Sequence, residues 1–273
     1  TDIFKDNSGV ALYTLDYDSS DAGGTSGKFG EAAIFNGTSS RIVVEDSSSN
    51  AFGFANYTGS VSAWVNIDSL SSENPILSKR DSGNPGNRHW LSRVLTNGTI
   101  ELLIYNTDSN FQRVTSSTAL NANQWYHIAF TLTTTNVKIY INGVLDTTAS
   151  STYSTIQNDG ADLQIGRRGT NEGHAYFDGK IDQVRIYNTA LTQSQVTQLY
   201  QENNSTVGTH LFGCIANYNL NGSAKESLGT TAYDGTETDI TYRYDGTPTN
   251  VDFGVGGKSL YGARFNGSSS YID

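Results

Sequence analysis

The sequence predicts an all-β fold, a sandwich or jelly roll of two antiparallel sheets with one short helix close to residue 200. Three observations support this prediction: many short alternating segments separated by turn residues, an abundance of Gly, Ser, Thr and Asn, and a single helical pattern. Charged residues make up 16% of the 273-residue chain, below the value of about 25% in typical soluble domains. We therefore expect a turn-rich β protein with a polar surface.

The clearest predicted strand is SVSAWVNI, which starts at Ser60. Its residues Val61, Ala63, Val65 and Ile67 alternate with others, which predicts that they share one face of a sheet. The segment NVKIYINGVLD alternates in the same way, and its Asn142-Gly143 pair favours a tight turn. Further short strands are predicted at TIELLIY, QWYHIAFTL, DLQIG and KIDQVRIY. Short strands in such number are typical of a sandwich or jelly roll.

One helix is predicted at TQSQVTQLYQ. Thr192 is a suitable N-cap and Gln195 follows three residues later, which is the capping-box pattern. Val196, with Leu199 or Tyr200, is then expected to face a sheet. The next stretch, QENNSTVGTH, is polar and without a pattern, so the linker is predicted there.

A short sequence segment near the start of the chain recurs near its end: FNGTSSRI begins at Phe35 and FNGSSSYI begins at Phe265. The repeat extends back to ALYTLDYDSSDAGG and IANYNLNGSAKESLG, whose starts lie about 200 residues apart, a spacing of tandem domains rather than solenoid units. We predict a domain at 1–203, a linker at 204–210 and the N-terminal third of a second repeat at 211–273. Such a third cannot bury its apolar face alone, so we expect it to add strands to the first domain or to exchange with a neighbouring chain. Since the chain also lacks Met, it is expected to be a fragment or a processed product.

Five motifs carry a resemblance to a known family. The first is the N-terminal ALYTLDYDSSDAGG with GKFGEAAIFNGTSSRI, and it is followed by SVSAWVNID, ILSK, NQWYHIAFTLTTTNVKIYINGVLD and DGKIDQVRIYNTALTQSQVTQLY. In this order and spacing they resemble laminin-G-like, concanavalin A-like jelly-roll domains over residues 8–201. The resemblance implies a concanavalin-like jelly roll that binds carbohydrates or proteins, often with a structural Ca²⁺. The segment SGVALYTLDYDSSDAGG is also similar to modules of phage and bacterial surface proteins.

The family resemblance implies a calcium site formed by Asp16, Asp21 and Asp182. The first two stand where the family places carboxylates after its first strand, and Asp182 matches the family's rim acid. The alternation of KIDQVRIY places Asp182 on the face of apolar Val184 and Ile186, and a carboxylate on a core-facing register is costly unless it is paired or metal-bound. The alternative is that Asp182 accepts backbone N–H bonds at a strand start, while the other two form turns.

Candidate ligand-binding residues lie in two loop-like segments, NPGNRHWLSR and RRGTNEGHAYF. Aromatic faces stack on sugar C–H surfaces, and Arg donates paired hydrogen bonds to carboxylates or hydroxyls. We therefore predict ligand contacts at Arg88, Trp90, Arg93, Arg168, His174 and Tyr176. The alternative is that Trp90 and Tyr176 pack against the sheet and that the arginines are solvated.

The net charge of −10 argues against nucleic acid or an anionic membrane as a partner. No apolar run is long enough to insert into a membrane. No strand shows the paired acids of a glycoside hydrolase, and no nucleophile elbow occurs, so catalysis is not expected.

We expect a calcium-stabilised carbohydrate-binding or adhesion module of a larger multi-repeat surface or phage tail-fibre protein. Its expected location is extracellular, on the cell surface or on a virion. The alternatives are a structural spacer repeat and an accessory domain of a secreted glycoside hydrolase.

Overall fold

The structure, a computed structural model, describes only part of the chain. Backbone and side chains are described for residues 27–29, 32–44, 52–54, 56–81, 83, 88–107, 109–157, 160–169 and 175–203. Beyond residue 203, the backbone is described for six strands.

Twelve strands and one helix form the first part of the structure. In chain order they are β1 (Ala33–Asn36), β2 (Arg41–Val44), β3 (Gly59–Ile67), β4 (Asn74–Arg80), β5 (Arg88–Val94), β6 (Thr99–Tyr105), β7 (Phe111–Ala119), β8 (Trp125–Leu132), β9 (Asn136–Ile141), β10 (Val144–Ser150), β11 (Leu163–Ile165), β12 (Asp178–Tyr187) and α1 (Gln193–Tyr200). The later strands are β13 (Cys214–Tyr218), β14 (Gly235–Thr238), β15 (Pro248–Thr249), β16 (Asp252–Val255), β17 (Gly262–Arg264) and β18 (Tyr271–Ile272).

The strands form two antiparallel sheets. The first sheet has the order β1-β12-β3-β8-β9-β10, and the second has the order β2-β11-β4-β5-β6-β7. Each gains one strand from later in the chain, because β13 pairs with β12 and β14 pairs with β2. The all-β prediction with two antiparallel sheets and one short helix is therefore confirmed.

The hydrophobic core lies between the two sheets. It includes Val61, Ala63, Val65 and Ile67 of β3, as the alternation predicts, and Trp90 of β5. Residues that alternate with these on the same strands point away from the core, so each sheet also has an outer face.

Local sequence signals are confirmed at the turn and the helix. Asn142 and Gly143, which join β9 to β10, have φ values of 49° and 76°, the left-handed pair that a tight hairpin turn requires. Thr192 caps α1: its hydroxyl accepts from the backbone N–H of Gln195, whose side chain accepts from the Thr192 N–H. Val196 and Leu199 are buried, as expected. No helix within the described part of the chain is long and apolar enough to cross a membrane.

The region 211–273 contributes strands to the sandwich. The prediction of added strands is confirmed for β13, which pairs with β12, and for β14, which pairs with β2. The remaining strands of this region pair with one another, β15 with β18 and β16 with β17. The boundaries at 203 and 211 stay predictions.

The two sides of the sandwich where the sheets end, its lateral edges, differ in construction. At one, β10 of the first sheet meets β7 of the second, and Asp146 accepts the backbone N–H groups of Ser117 and Thr118 at 2.7 and 3.0 Å. At the other, the terminal strands are β1 and β2, and there β13 and β14 are added. We call these the β7–β10 edge and the β1–β2 edge.

Candidate functional site

The outer face of the second sheet carries a row of charged and aromatic side chains. Strand alternation sends Ile100, Leu102 and Ile104 of β6 into the core, so Glu101, Leu103 and Tyr105 face outward. Cross-strand pairing places Arg93 of β5 beside Glu101. On β7, Arg113 lies beside Leu103, and Phe111 lies beside Tyr105. Leu91, Leu103 and Tyr105 form a small apolar cluster within this face.

Five side chains of this face form an ion-pair network centred on Glu101. Arg93 Nε donates to Glu101 Oε1 at 2.9 Å, and Arg113 Nε lies 3.2 Å from Glu101 Oε2. Arg93 also pairs with Glu73, and Arg168 Nη1 lies 3.5 Å from the same Glu73 oxygen. The Glu101 side chain is 1% exposed whereas that of Arg113 is 55% exposed, so the buried carboxylate holds an accessible guanidinium in place.

Next to this network, an aromatic ring is open to solvent. Phe111 is 41% exposed, and its ring centroid lies 5.3 Å from that of Tyr105. The Arg113 guanidinium carbon lies 5.8 Å from the Phe111 ring centre. Behind them, Arg80 Nη1 donates to the Tyr105 hydroxyl at 2.8 Å. The face thus presents an exposed aromatic ring, an accessible guanidinium and one partly exposed carboxylate, that of Glu73.

The structure brings two of the predicted ligand residues together here and disperses others. Arg93 and Arg168 both pair with Glu73. Arg88 is half-buried at the start of β5, opposite Arg80. Tyr176 is buried, and the Arg167 guanidinium lies 5.7 Å from its ring centre. His174 lies outside the described residues.

Trp90 is not a ligand contact, and the alternative that it packs against the sheet is the one observed: its side chain lies in the core. It is 0% exposed, and its indole N–H donates to the Phe52 carbonyl at 2.9 Å. Its ring stacks on Phe54 with centroids 5.5 Å apart. The segment that contains it is strand rather than loop, and alternation along β5 turns Trp90 inward while Arg93 faces outward.

Asp182 lies on β12, but on a different face from the one predicted. A bulge interrupts the pairing of β12 with β3 after Asp182, and the next residue, Gln183, has a φ of 50°. Asp182 lies opposite Trp64, which packs with Phe29 on the outer face of the first sheet. Val184 lies in the core. The extra residue of the bulge therefore separates the carboxylate from the apolar face it was expected to share.

The Asp182 carboxyl group is buried and only partly hydrogen-bonded. Its Oδ2 accepts the backbone N–H of Phe29 at 3.0 Å, and no described residue donates a hydrogen bond to Oδ1. Burial raises the pKa of Asp182 to about 7, although nearby donors, Phe29 first, lower it in part. Desolvation thus dominates over hydrogen bonding at this group.

Of the predicted calcium ligands, Asp182 lies within the described residues. A buried carboxylate oxygen without a donor suits a hard cation, which prefers oxygen ligands, so Asp182 fits the role. Asp16 and Asp21 lie outside the described residues. Within the described part of the chain, no three His, Cys, Asp or Glu side chains come together as a metal cluster.

Sequence reasoning missed four residues of the outer face: Glu73, Glu101, Phe111 and Arg113. A signal was present in FQRVT, where Phe111 and Arg113 alternate with Gln112 and Val114. The same alternation occurs in any half-buried strand, so by itself it does not indicate a binding surface. The partners Glu73 and Arg168 are far apart in the sequence, and only the folded sheet places them together.

Solved structures with a similar fold include a candidate carbohydrate-binding protein, a pentraxin and one domain of an arabinanase. A candidate carbohydrate-binding protein from Bacteroides ovatus is 22% identical, with a TM-score of 0.58 over 79% of this chain and 60% of its own, so this chain spans less than two thirds of that protein. A heptameric SAP-like pentraxin from Limulus polyphemus is 16% identical, with a TM-score of 0.54 over 78% of this chain and 94% of its own. Domain 4 of AbnA, a GH43 extracellular arabinanase from Geobacillus stearothermophilus, was solved in complex with arabinotriose; it is 27% identical, with a TM-score of 0.52 over 67% of this chain and 84% of its own.

No curated protein sequence matches this chain. The family model described as the concanavalin A-like lectin/glucanases superfamily, a laminin-G-like model, matches residues 24–197, which is more than half of the sequence. The motif resemblance, the two antiparallel sheets and this match agree. The chain therefore belongs to the concanavalin A-like lectin/glucanase superfamily.

Proposed function

We propose that the chain is a non-catalytic carbohydrate-binding module whose ligand lies on the outer face of the second sheet, at Phe111 and Arg113. The observation that carries this proposal is an exposed aromatic ring beside an accessible guanidinium that a buried carboxylate holds in place. The 27%-identical arabinanase domain, which binds arabinotriose, supports it.

The chemistry of these side chains suits a sugar. The Phe111 ring offers an apolar face to sugar C–H groups, while Arg113 donates to hydroxyl or carboxylate oxygens. Glu73, whose side chain is partly exposed, accepts hydrogen bonds from sugar hydroxyls. The Glu101–Arg113 pair is already formed, so little side-chain entropy is lost when the ligand binds.

The same geometry argues against glycoside hydrolysis at this face. Hydrolysis requires two carboxyl groups that both reach the scissile bond. The Glu101 side chain is buried, and its two oxygens already contact Arg93 and Arg113. Glu73 is therefore the one carboxylate of the network that can meet a ligand, and we propose binding without turnover.

A binding experiment tests the proposal. The chain is screened on a glycan array that includes arabino-oligosaccharides and acidic glycans, and affinity for the best ligand is measured for the parent and for Phe111→Ala. Loss of the stacked ring is expected to weaken binding about tenfold or more, since an aromatic contact contributes about 1.5 kcal/mol. The melting temperature is expected to change little.

The control is Leu145→Ala, because Leu145 on β10 is also 41% exposed but belongs to the first sheet. Its affinity is expected to equal that of the parent. An array without any bound glycan, or equal affinities for the parent and Phe111→Ala, would contradict the proposal.

We further propose that Asp182, with Asp16 and Asp21, binds a structural Ca²⁺. The support from the structure is the buried Oδ1 atom, to which none of the described residues donates a hydrogen bond. A ligand that binds only the folded state raises the melting temperature, so we expect a rise in Ca²⁺ relative to EDTA for the parent and none for Asp182→Asn. Equal melting temperatures of the parent in both conditions would leave Asp182 as a buried structural carboxyl group.

Structural similarity to these carbohydrate-binding proteins and the tandem repeat in the sequence lead us to propose an extracellular, cell-surface or virion location, within a larger multi-repeat protein. A spacer role is the second candidate, favoured by the strands that the second repeat adds to the first domain. Failure of every glycan to bind would favour this candidate.

A further inference from the structure

One side of β12 serves as partner to two strands from distant parts of the chain. β1 lies opposite residues 178–181, and β13 lies opposite residues 184–187. The bulge at Asp182 and Gln183 separates the two. In the second sheet, β14 pairs with β2 from Arg41 to Val44. Both added strands therefore lie at the β1–β2 edge of the sandwich.

By sequence, these added strands belong to the second repeat. β13 overlaps the start of IANYNLNGSAKESLG, which parallels ALYTLDYDSSDAGG of the first repeat. β14 lies in YDGTETDITYRYDGTPTNVDF, a segment that the first repeat lacks. The beginning of one repeat thus extends both sheets of the repeat before it.

We propose that the β1–β2 edge is a docking surface for β13 and β14, and that a second copy of this chain can supply both strands in exchange. This goes beyond glycan binding and does not depend on it. In the structure the chain's own strands occupy the edge. In the exchanged form, each of two chains places its β13 and β14 on the edge of the other.

The pairing geometry permits the exchange without loss of contacts. The backbone pairs of β13 with β12 and of β14 with β2 are the same whether the strands come from one chain or two, and only the connection through residues 204–213 changes. This is the condition under which domain swapping occurs at low cost. A single donor segment engages both sheets, so the two pairings are gained together.

The opposite side of the sandwich does not compete for the donor. At the β7–β10 edge, Asp146 already accepts the N–H groups of Ser117 and Thr118 across the gap between the sheets. The docking surface is therefore one-sided. The connection in one chain gives an effective concentration on the order of millimolar, so exchange is expected at high protein concentration or where repeats are crowded on a surface.

Single-cysteine variants test the exchange. Arg41 and Thr238 are directly opposite each other, and side chains at such positions are close enough for a disulfide. In the full chain with Cys214→Ser, one variant carries Arg41→Cys and the other, isotopically labelled, carries Thr238→Cys. The two are unfolded together, refolded at about 1 mM, the scale of the effective concentration, and oxidised. A disulfide between them can form only between two chains.

The matched control replaces Thr238→Cys by Thr236→Cys, which lies opposite Val43 and hence two residues out of register with Arg41. We expect at least tenfold more mixed disulfide from the in-register pair, and a fall in its yield when refolding is carried out about a thousandfold more dilute, well below the effective concentration. A mixed disulfide no more abundant than the control overturns the exchange.

A third variant checks the edge itself. It carries Arg41→Cys and Thr238→Cys in one chain and is oxidised after dilute refolding. An intrachain disulfide is expected and supports the docking surface, whereas its absence overturns the surface together with the exchange. Neither result involves Phe111, so the tests of glycan binding and of strand exchange are independent of each other.

Discussion

The two lateral edges of the sandwich are closed by different means. At the β7–β10 edge, Asp146 accepts the backbone N–H groups of Ser117 and Thr118, 29 and 28 residues earlier in the chain, and Gln112 Nε2 donates to the Ser150 carbonyl at 2.8 Å. The β1–β2 edge is extended by β13 and β14, which come from beyond the matched family domain. The difference teaches that one lateral edge of the sandwich is formed by strands within the matched region, whereas the other takes strands from later in the chain.

Helix α1 connects the two edges across the first sheet. Near its start, Gln193 Nε2 and Thr197 Oγ1 donate to the Gly143 carbonyl, in the turn that leads into β10, at 2.6 and 2.9 Å. Just after its end, Glu202 Oε2 lies 2.7 Å from Arg185 Nη2 on β12. The helix therefore ties the turn beside β10 to the strand that receives β13.

The largest effect is expected from Glu202→Gln. This change leaves Arg185 as a buried charge without its carboxylate, and breaking such a pair costs about 3–5 kcal/mol of unfolding free energy. Chemical denaturation measures the loss. The control is Asp68→Asn, which removes the more exposed pair with Lys180 on the same strand and is expected to cost less than about 1 kcal/mol. Similar losses of unfolding free energy in both variants would show that the buried Arg185–Glu202 pair stabilises the fold no more than the exposed pair does.

A smaller effect is expected from Asp146→Ala at the β7–β10 edge. Ser117 and Thr118 lose an ionised acceptor, which costs about 1–2 kcal/mol because these bonds are partly solvated. This corresponds to a fall in melting temperature of about 2–8 °C for a domain of this size. Thr148→Ala, at an exposed position on the same strand, is the control. If amide exchange at 117 and 118 stays as slow as in the parent, the contact does not close this edge.

The connection between the edges is tested by Thr192→Ala. It removes the N-cap acceptor of α1, which costs typically about 1 kcal/mol. Ser194→Ala, on the exposed side of the first helical turn, keeps the cap and is expected to have a smaller effect. Amide exchange in α1 is expected to be faster in Thr192→Ala, which lacks the cap, and unchanged in the control Ser194→Ala. Equal exchange in both variants would contradict the role of the cap.

The smallest effect is expected in the pH dependence of the stability that Asp146 contributes. Burial acts to raise the pKa of Asp146, but hydrogen bonds from Thr118, Thr147 and Ser117 outweigh it and leave the pKa below the ordinary value of 3.8. A carboxyl group whose pKa is lowered by folding contributes stability above the unfolded value, and this contribution disappears as the pH falls through the folded value. The stability difference between parent and Asp146→Ala, measured from pH 6 to pH 2.5, is therefore expected to shrink below about pH 4. A constant difference would mean that the charge of Asp146 is irrelevant.

Much of the sandwich could be predicted because its signals are local. The alternation in β3, the Asn142-Gly143 turn and the Thr192 cap each lie within a few residues, and each is confirmed. The face of Asp182 was predicted wrongly because Gln183 adopts a positive φ without being Gly or Asn. Such a bulge is set by the packing around it and leaves no mark in the alternation.

The candidate site shows the same limit. Arg93 was predicted at the ligand surface, but its partners Glu73 and Glu101 come from other strands. Trp90 was predicted as a ligand contact because its segment looks loop-like, whereas the burial of its ring depends on Phe52 and Phe54 earlier in the chain. Contacts between distant strands decide the site, and a single sequence does not display them.

The pairing of β13 with β12 also has a consequence in time, because a ribosome makes the chain from its first residue onward. When Tyr187 has been added, its strand partner Cys214 does not yet exist. At about 5–20 residues per second, the intervening stretch takes roughly one to five seconds to synthesise. During that interval the rest of the first sheet can form while 184–187 has no β13 beside it. Neighbouring ribosomes on one message would then hold chains of this kind close together at the stage when their edges are still open.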